Sequence, residues 1–249
     1  MNPLQIEKIK GMRTEITRFM MMYKFAINEI ETKIDILKDE FHFLHDYNPI
    51  ENSKSRVKSF ESIMKKLYRK GGEPSLTYIR ENIRDIAGIR ITCSFVSDIY
   101  RISDMLSNQS DLTIVEVKDY IKNPKPNGYK SLHVLAKVPI FMSDRQEEVY
   151  VEIQIRTMAM DFWASLEHKI YYKFNQEVPL SFLEELKEAA DSAASLDQKM
   201  ERLHHEINAI KVEKSEEGDI LKEINQLLVN NQQISIPKQL LELLNVEQK

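Results

Sequence analysis

The chain has 249 residues, of which 42% are hydrophobic, and this is enough for one good core within one or two domains. The net charge of −4 gives no overall basic field that would recruit nucleic acid. A single cysteine, Cys93, excludes an intramolecular disulfide framework and a CxxC metal site. No apolar run is long enough to span a membrane, and the first residues lack a signal-peptide pattern. We therefore expect a cytoplasmic protein with no membrane partner.

The first predicted element is one long helix over about residues 13 to 46. Its apolar residues follow each other at steps of four and three, and they are Ile16, Met20, Tyr23, Ile27, Ile30, Ile34, Leu37, Phe41 and Leu44. This stripe is narrower than that of a helix lying on a globular core and is typical of a coiled-coil seam. Pro49 disfavours helix at the residue before it and so ends the element. We predict that residues 1–47 form an oligomerisation arm, unless the seam finds its partner within the chain.

A second helix is predicted over residues 55 to 70, where two glycines stop it. Lys58, Ser62 and Lys66 are four residues apart, so they would line one face of this helix. Such a face is either a phosphate clamp or an ordinary solvated surface. Arg56, at the helix entrance, has a planar group that could stack on a base or bind phosphate.

The middle of the chain, from about residue 83 to 157, is strand-rich. Apolar and polar residues alternate around Ile89, over 112–118, from Leu132 and most regularly over 149–155. In the last of these strands Val149, Val151, Ile153 and Ile155 point one way, whereas Tyr150, Glu152, Gln154 and Arg156 point the other. A strand with this pattern presents hydrogen-bonding groups from a rigid platform.

Two carboxylates stand out on these strands, Asp85 just before one of them and Glu152 within another. One interpretation is that both face solvent and pair with nearby arginines. The other is that the polar faces coincide, which would place Arg90, His133, Glu152 and Gln154 on one surface. Two carboxylates close together repel unless a cation lies between them or one is protonated. Mg²⁺ is the cation that such hard oxygen ligands and phosphates suit.

A stiff loop precedes the strand that carries His133. Pro124 and Pro126 fix the backbone, and Gly128 can adopt a positive φ. The loop therefore presents Tyr129 as a rigid aromatic side chain between lysines. It is either a platform on which a base stacks or a surface turn with a packed tyrosine.

Helices return after the strands, over about residues 158 to 172 and then from Pro179 to about residue 211. The last of these has a second seam at steps of four and three, formed by Leu196, Met200, Leu203, Ile207 and Ile210. Phe162 and Trp163 are interpreted as core residues. We predict a catalytic core over 48–175, a C-terminal helix over 176–212 and a polar tail over 213–249. In the tail, residues 221–228 and 240–244 are expected to form short helices, with disorder between them.

Three motifs occur in a characteristic order, and they run from Asp85 to Arg90, from Tyr120 to His133 and from Val151 to Thr157. With them the chain resembles the synthetase domain of the RelA/SpoT family, in its single-domain branch of small alarmone synthetases. The resemblance implies an α/β fold of the nucleotidyltransferase type, with a mixed sheet of four to five strands flanked by helices and with long terminal helices. It also implies transfer of pyrophosphate from ATP to the 3′-hydroxyl of GDP or GTP. The products would be AMP and the stringent-response alarmones ppGpp or pppGpp.

The resemblance assigns a role to each candidate residue. Arg56 and Arg90 would sandwich adenine, while Lys58, Ser62 and Lys66 would hold the ATP phosphates. Asp85 and Glu152 would bind Mg²⁺, and Glu152 would also draw the proton from the 3′-hydroxyl. Tyr129 would stack on guanine, Lys125, Lys130 and His133 would steady the acceptor, and Asp161 would help to select guanine. Gln154 and Arg156 would support the Glu152 platform.

Two other functions stay open at this point. One is a toxin-like pyrophosphokinase that acts on adenine nucleotides or tRNA 3′ ends, and the other is a non-catalytic oligomer that binds RNA or nucleotides. The carboxylate pair argues against the second, and RNA binding is not otherwise indicated. Residues 116–119 form a mixed version of the motif that correlates with GDP or GTP preference in the family, so the acceptor stays either nucleotide. The two seams and the resembled branch favour a homotetramer.

Overall fold

The structure, a computed structural model, has a five-stranded mixed sheet at its centre with helices around it. This architecture confirms the predicted fold class. The structure describes residues 3–45, 47–172, 179–214, 226–229 and 232–235. Its elements are α1 (Pro3–Leu44), β1 (Ile50–Val57), α2 (Phe60–Arg69), α3 (Leu76–Asn82), β2 (Ala87–Cys93), α4 (Val96–Ser107), β3 (Thr113–Asp119), β4 (Leu132–Phe141), β5 (Gln146–Thr157), α5 (Met158–Tyr172), α6 (Leu180–Lys214), β6 (Gln226–Val229) and β7 (Gln232–Ser235).

The strand order in the sheet is β1-β2-β5-β4-β3. Strands β2 and β5 run parallel, whereas the other three pairs are antiparallel. The buried and half-buried residues alternate along β4 and β5, so one face of the sheet is apolar and the other carries the polar side chains. Strands β6 and β7 form a separate two-stranded antiparallel sheet.

Helix α1 contacts four strands of the sheet, and its seam is buried in the same hydrophobic cluster as the apolar sheet residues. Tyr23, Ile27, Ile30 and Ile34 are at most 2% exposed. Within this chain the sheet is therefore the partner of most of the N-terminal seam. The division of the chain at residues 47, 175 and 212 stays a prediction, and the observed core joins α1 to the sheet.

The helix predicted over residues 55 to 70 is wrong in its first part. Residues 50–57 form β1, which pairs with β2, and α2 begins only at Phe60. Ser59 caps this helix, since its side chain accepts a hydrogen bond from the backbone of Ser62. Arg56 and Lys58 therefore do not lie on one helical face with Ser62 and Lys66.

Other predicted boundaries also shift. Helix α1 begins about ten residues earlier than predicted, and α3 was not predicted at all. Phe162 is 68% exposed and is not a core residue, whereas its neighbour Trp163 is buried, as predicted. The helix predicted over 221–228 is wrong for residues 226–228, which belong to β6, and the one over 240–244 lies outside the described residues. None of the described helices combines the length and the apolar character that crossing a bilayer requires.

Candidate active site

The pairing of the strands sets the candidate residues in two rows across the polar face of the sheet. In one row Arg90 of β2, Gln154 of β5 and His133 of β4 are paired neighbours. In the next row Arg56 of β1 pairs with Gly88, and Gly88 pairs with Glu152. The predicted coincidence of the polar faces is therefore what the register produces.

Asp85 lies just before β2, and its side chain pairs with the ammonium groups of two lysines. Its Oδ2 accepts hydrogen bonds from Lys58 Nζ at 2.7 Å and from Lys66 Nζ at 2.6 Å. Burial pushes the pKa of the Asp85 carboxyl up, but the two ammonium groups pull it down further, so this pKa lies below its ordinary value. The other oxygen, Oδ1, is buried without a hydrogen-bond partner among the described residues. One carboxylate oxygen thus accepts from both lysines, and the other has no donor among the described residues.

Glu152 is the second carboxylate, and its Oε2 accepts a hydrogen bond of 2.8 Å from Gln154 Nε2. Its Oε1 lies 3.6 Å from His133 Nδ1, which is too long for a hydrogen bond but close enough for electrostatic attraction. Burial raises the pKa of the Glu152 carboxyl, whereas His133 and Gln154 lower it by more. The charge of Asp85 also raises this pKa, so the two carboxylates feel each other. The net pKa is below its ordinary value, and Glu152 is ionised at neutral pH.

Arg156 is buried, with 4% exposure, and its guanidinium connects other site residues by hydrogen bonds. Its Nη2 donates to the Tyr129 hydroxyl at 2.5 Å and to Gln154 Oε1 at 2.7 Å, and its Nε donates to Ser131 Oγ at 3.3 Å. The Tyr129 hydroxyl also lies 2.7 Å from His133 Nε2. One hydrogen-bond network around Arg156 therefore includes Tyr129, His133, Gln154 and Glu152.

Asp161, at the start of α5, extends this network to the first row. Its Oδ1 lies 3.2 Å from Arg156 Nη1 and 3.0 Å from Arg90 Nη1. This oxygen of Asp161 thereby joins Arg90, which is expected to contact adenine, to Arg156, which holds Tyr129. The Nε of Arg90 is buried without a hydrogen-bond partner among the described residues.

The loop that carries Tyr129 packs onto α5 and α6. Gly128 has φ +88°, and a Cβ at this position would lie 2.6 Å from Ala190 Cβ and 3.3 Å from Lys187 Cα. A side chain there is excluded both by this close approach and by the left-handed backbone. The loop is also held by Asn127, whose amide donates to Glu167 of α5 at 3.1 Å.

Two lysines of this loop point in different directions. Lys125 Nζ lies 4.7 Å from the ring centroids of both Tyr120 and Tyr129, so it is next to the predicted base platform. Lys130 Nζ lies 3.8 Å from Asp191 of α6. The structure therefore does not bring Lys130 together with the other candidate residues, and its predicted role on the acceptor stays a prediction.

Arg56 and Ser62 lie at the edge of the site. Arg56 is exposed on β1, and its partner Gly88 lies two residues before Arg90 on the neighbouring strand. Ser62 is exposed near the start of α2, where its hydroxyl lies 2.8 Å from that of Ser59.

A cavity of about 370 Å³ opens between the carboxylates, and Asp85, Glu152, Lys66 and His133 all line it. Three further basic residues line the cavity and were missed as site residues, namely Lys70, Arg84 and Lys118. Arg84 directly precedes Asp85 in the first motif, and Lys118 pairs in register with His133, so adjacency to predicted site residues was the available signal. The described residues contain no group of three or more His, Cys, Asp or Glu side chains that could hold a metal ion alone.

Known proteins are similar to this chain. A family model described as a region found in RelA / SpoT proteins matches residues 55–177. The GTP pyrophosphokinase YwaC of Bacillus subtilis (strain 168) is 51% identical over 203 residues, which are 82% of this chain and 97% of that protein. The chain belongs to the RelA/SpoT family. The predicted resemblance is thereby confirmed.

Solved structures place this RelA/SpoT protein within the predicted branch. The crystal structure of small alarmone synthetase 2 from Bacillus subtilis has 53% identity and a TM-score of 0.71, covering 77% of this chain and 99% of that one. Small alarmone synthetase 1 from Bacillus subtilis, bound to its product pppGpp, has 36% identity and a TM-score of 0.72, covering 78% of this chain and 98% of that one.

Proposed function

We propose that this chain transfers the pyrophosphate group of ATP to the 3′-hydroxyl of GDP or GTP, with release of AMP. The observation that supports this most is the pair of ionised carboxylates, Asp85 and Glu152, that face one cavity. Its lining also contains the basic Lys66, Lys70, Arg84 and Lys118 together with Glu81 and Glu116. The pppGpp-bound relative supports a guanosine nucleotide as the acceptor. Such an enzyme would work in the cytoplasm, where its nucleotide substrates occur.

ATP would bind on the β1 and β2 side. Arg56 and Arg90 are diagonal neighbours on paired strands, a spacing of about 7 Å that leaves room for one planar base between them. Lys58 and Lys66 would move from Asp85 onto the ATP phosphates, since phosphate offers more negative charge than one carboxylate. Ser62 would add a hydroxyl donor beside them. Holding two nucleotides in line supplies roughly 7–11 kcal/mol of the barrier to such reactions.

The carboxylates fit a divalent cation, for which we propose Mg²⁺. Asp85 Oδ1 is a buried acceptor without a partner in the described part of the chain, and Glu152 keeps its charge beside it. Mg²⁺ in such sites is held by one or two carboxylates together with substrate phosphates, so two ligands from the protein suffice. Bound there, the ion would neutralise charge on the transferred phosphates.

The acceptor would bind over β4 and β5. Guanine would stack on the Tyr129 ring, with Lys125 beside it and Asp161 close to its edge, while His133 and Gln154 would flank the ribose. Glu152 would accept the proton of the 3′-hydroxyl, because its lowered pKa leaves it ionised at neutral pH. Lys130 would take part only if it left Asp191.

Incubation with ATP, Mg²⁺ and each of GDP, GTP, an adenine nucleotide or tRNA tests the proposed reaction. We expect AMP release together with a guanosine product that carries a 3′-pyrophosphate, as resolved by ion-exchange chromatography and mass spectrometry. No described feature favours the toxin-like or the non-catalytic alternative. A product formed only from the adenine nucleotide or tRNA, or no product from any acceptor, would contradict the proposal.

We also propose a homo-oligomer, with a tetramer favoured by the resembled branch, that forms through α6. Its five seam residues from Leu196 to Ile210 are each 46–54% exposed, whereas most of the α1 seam is buried against the sheet of the same chain. A half-exposed apolar seam that extends for several turns is the kind of face that a second helix covers.

Replacing Leu203 and Ile207 together with aspartate should therefore reduce the mass of the assembly, since charges would enter the seam. Size-exclusion chromatography with light scattering measures that mass, and Gln198→Asp, at an exposed polar position of the same helix, is the control. A wild-type protein that is monomeric at micromolar concentration would refute the oligomer.

A further inference from the structure

The Tyr129 hydroxyl makes contacts that base stacking does not need. Stacking uses the face of the ring, and a phenylalanine would serve equally well. The hydroxyl is nevertheless placed 2.5 Å from Arg156 Nη2 and 2.7 Å from His133 Nε2. Burial raises the pKa of the Tyr129 phenol, so the hydroxyl keeps its proton at neutral pH.

The chemistry of the donors fixes the direction of the hydrogen bond with Arg156. A guanidinium has only donors, so the Tyr129 oxygen accepts from Arg156. The contact with His133 Nε2 is a second hydrogen bond of the same hydroxyl, in which the tautomer of the ring decides which atom donates. The other ring nitrogen, Nδ1, faces Glu152 Oε1 at 3.6 Å.

The same Arg156 nitrogen serves the other side of Glu152. Nη2 has two hydrogens, one for the Tyr129 hydroxyl and one for Gln154 Oε1 at 2.7 Å. Because Oε1 of the Gln154 amide accepts from Arg156, its nitrogen must point to Glu152 Oε2, where it lies at 2.8 Å. The amide cannot flip without losing both bonds.

We propose that the Tyr129 hydroxyl is a positioning group for the Glu152 carboxylate, acting through His133 on one oxygen and through Arg156 and Gln154 on the other. The inference rests on the proposed function and extends it, since it gives the predicted guanine platform a second task. The ring binds the acceptor, and the hydroxyl orients the group that receives the proton of the acceptor. Binding of guanine and alignment of the proton acceptor Glu152 are thereby connected through one side chain, Tyr129.

Tyr129→Phe separates the two tasks. It keeps the ring and removes the hydroxyl, so the KM for GDP or GTP should stay within about threefold of the wild-type value while kcat falls by roughly 10- to 100-fold, the effect of a small misalignment of a catalytic group. Tyr129→Leu removes the ring as well and should also raise the KM of the acceptor. Initial rates at saturating ATP and Mg²⁺, with the acceptor varied, give both constants.

The neighbouring tyrosine provides a matched control. The Tyr120 ring lies 6.0 Å from that of Tyr129 and 5.1 Å from that of His133, but its hydroxyl makes no hydrogen bond in the described part of the chain. Tyr120→Phe removes an equivalent hydroxyl from the same aromatic group and should leave kcat unchanged. Circular dichroism and thermal melting of all variants show that each is folded.

Three results would overturn the positioning role. They are a Tyr129→Phe kcat equal to that of wild type, an equal loss of kcat in Tyr120→Phe, and a change confined to the KM of the acceptor. In each of these the wild-type enzyme still forms the guanosine product, so the proposed function stands while the inference fails. Absence of that product from the wild-type enzyme would overturn both.

Discussion

Glu152→Gln should lower the turnover number by roughly 10²–10⁴-fold, the range expected when a general base is lost. Glutamine has the same shape, but it neither accepts the proton of the 3′-hydroxyl nor provides a charged metal ligand. The Gln154 and His133 neighbours can still contact its side chain, so we expect normal folding. ATP binding should remain measurable, because the lysines and arginines assigned to ATP lie on other elements. AMP release at saturating substrates, with equilibrium ATP binding measured in parallel, checks both halves of the expectation.

Glu148→Gln is the matched control for this change. Glu148 lies four residues before Glu152 on β5 and pairs with Lys137 at 3.2 Å, outside the candidate site. Its replacement removes a carboxylate from the same strand and should leave turnover within about twofold, as for most exposed ion pairs. A Glu152→Gln enzyme that keeps most of its rate would refute the assignment of Glu152 as the base.

The sheet and its polar face were predictable because they depend on a local pattern. Alternation along β5 alone fixes which side chains share a face with Glu152, and the registers then bring Arg90 and His133 beside Gln154. Lys58 and Lys66 were predicted to lie close together, but for the wrong reason. Helical spacing suggested it, whereas the structure achieves it by ending β1 beside β2 and starting α2 after Ser59.

What the sequence could not supply were relations between elements that are distant along the chain. The N-terminal seam has the spacing of a coiled coil, yet the surface that buries it is the sheet, and helical spacing alone does not identify a partner. The loop before β4 was expected to present Tyr129, but its dependence on α6 follows from the contact of Gly128 with Ala190. The hydrogen bonds of the Tyr129 hydroxyl likewise need side chains from β4, β5 and the loop in their folded positions.

Asp85→Asn should reduce turnover by about 1,000-fold, since this change removes one of the two ligands proposed for the metal and several kcal/mol of charge stabilisation with it. Its Oδ1 is buried without a partner in the described structure, so the wild-type residue keeps an oxygen ready for a cation. The Mg²⁺ concentration for half-maximal rate should rise in the variant. Removing metal with EDTA should abolish wild-type turnover, and adding Mg²⁺ back should restore it. Rates over a Mg²⁺ titration measure all three effects.

A second aspartate–lysine pair shows whether the loss comes from the metal or from a broken ion pair. Asp111 lies 2.5 Å from Lys33, away from the site, and Asp111→Asn removes an equivalent charge pair. It should change neither turnover nor the Mg²⁺ dependence. In Asp85→Asn, Lys58 and Lys66 are released from their carboxylate, so ATP binding without metal should be equal or tighter even as turnover falls. Loss of ATP binding with an unchanged Mg²⁺ dependence would mean that Asp85 serves to hold the lysines and does not bind the ion.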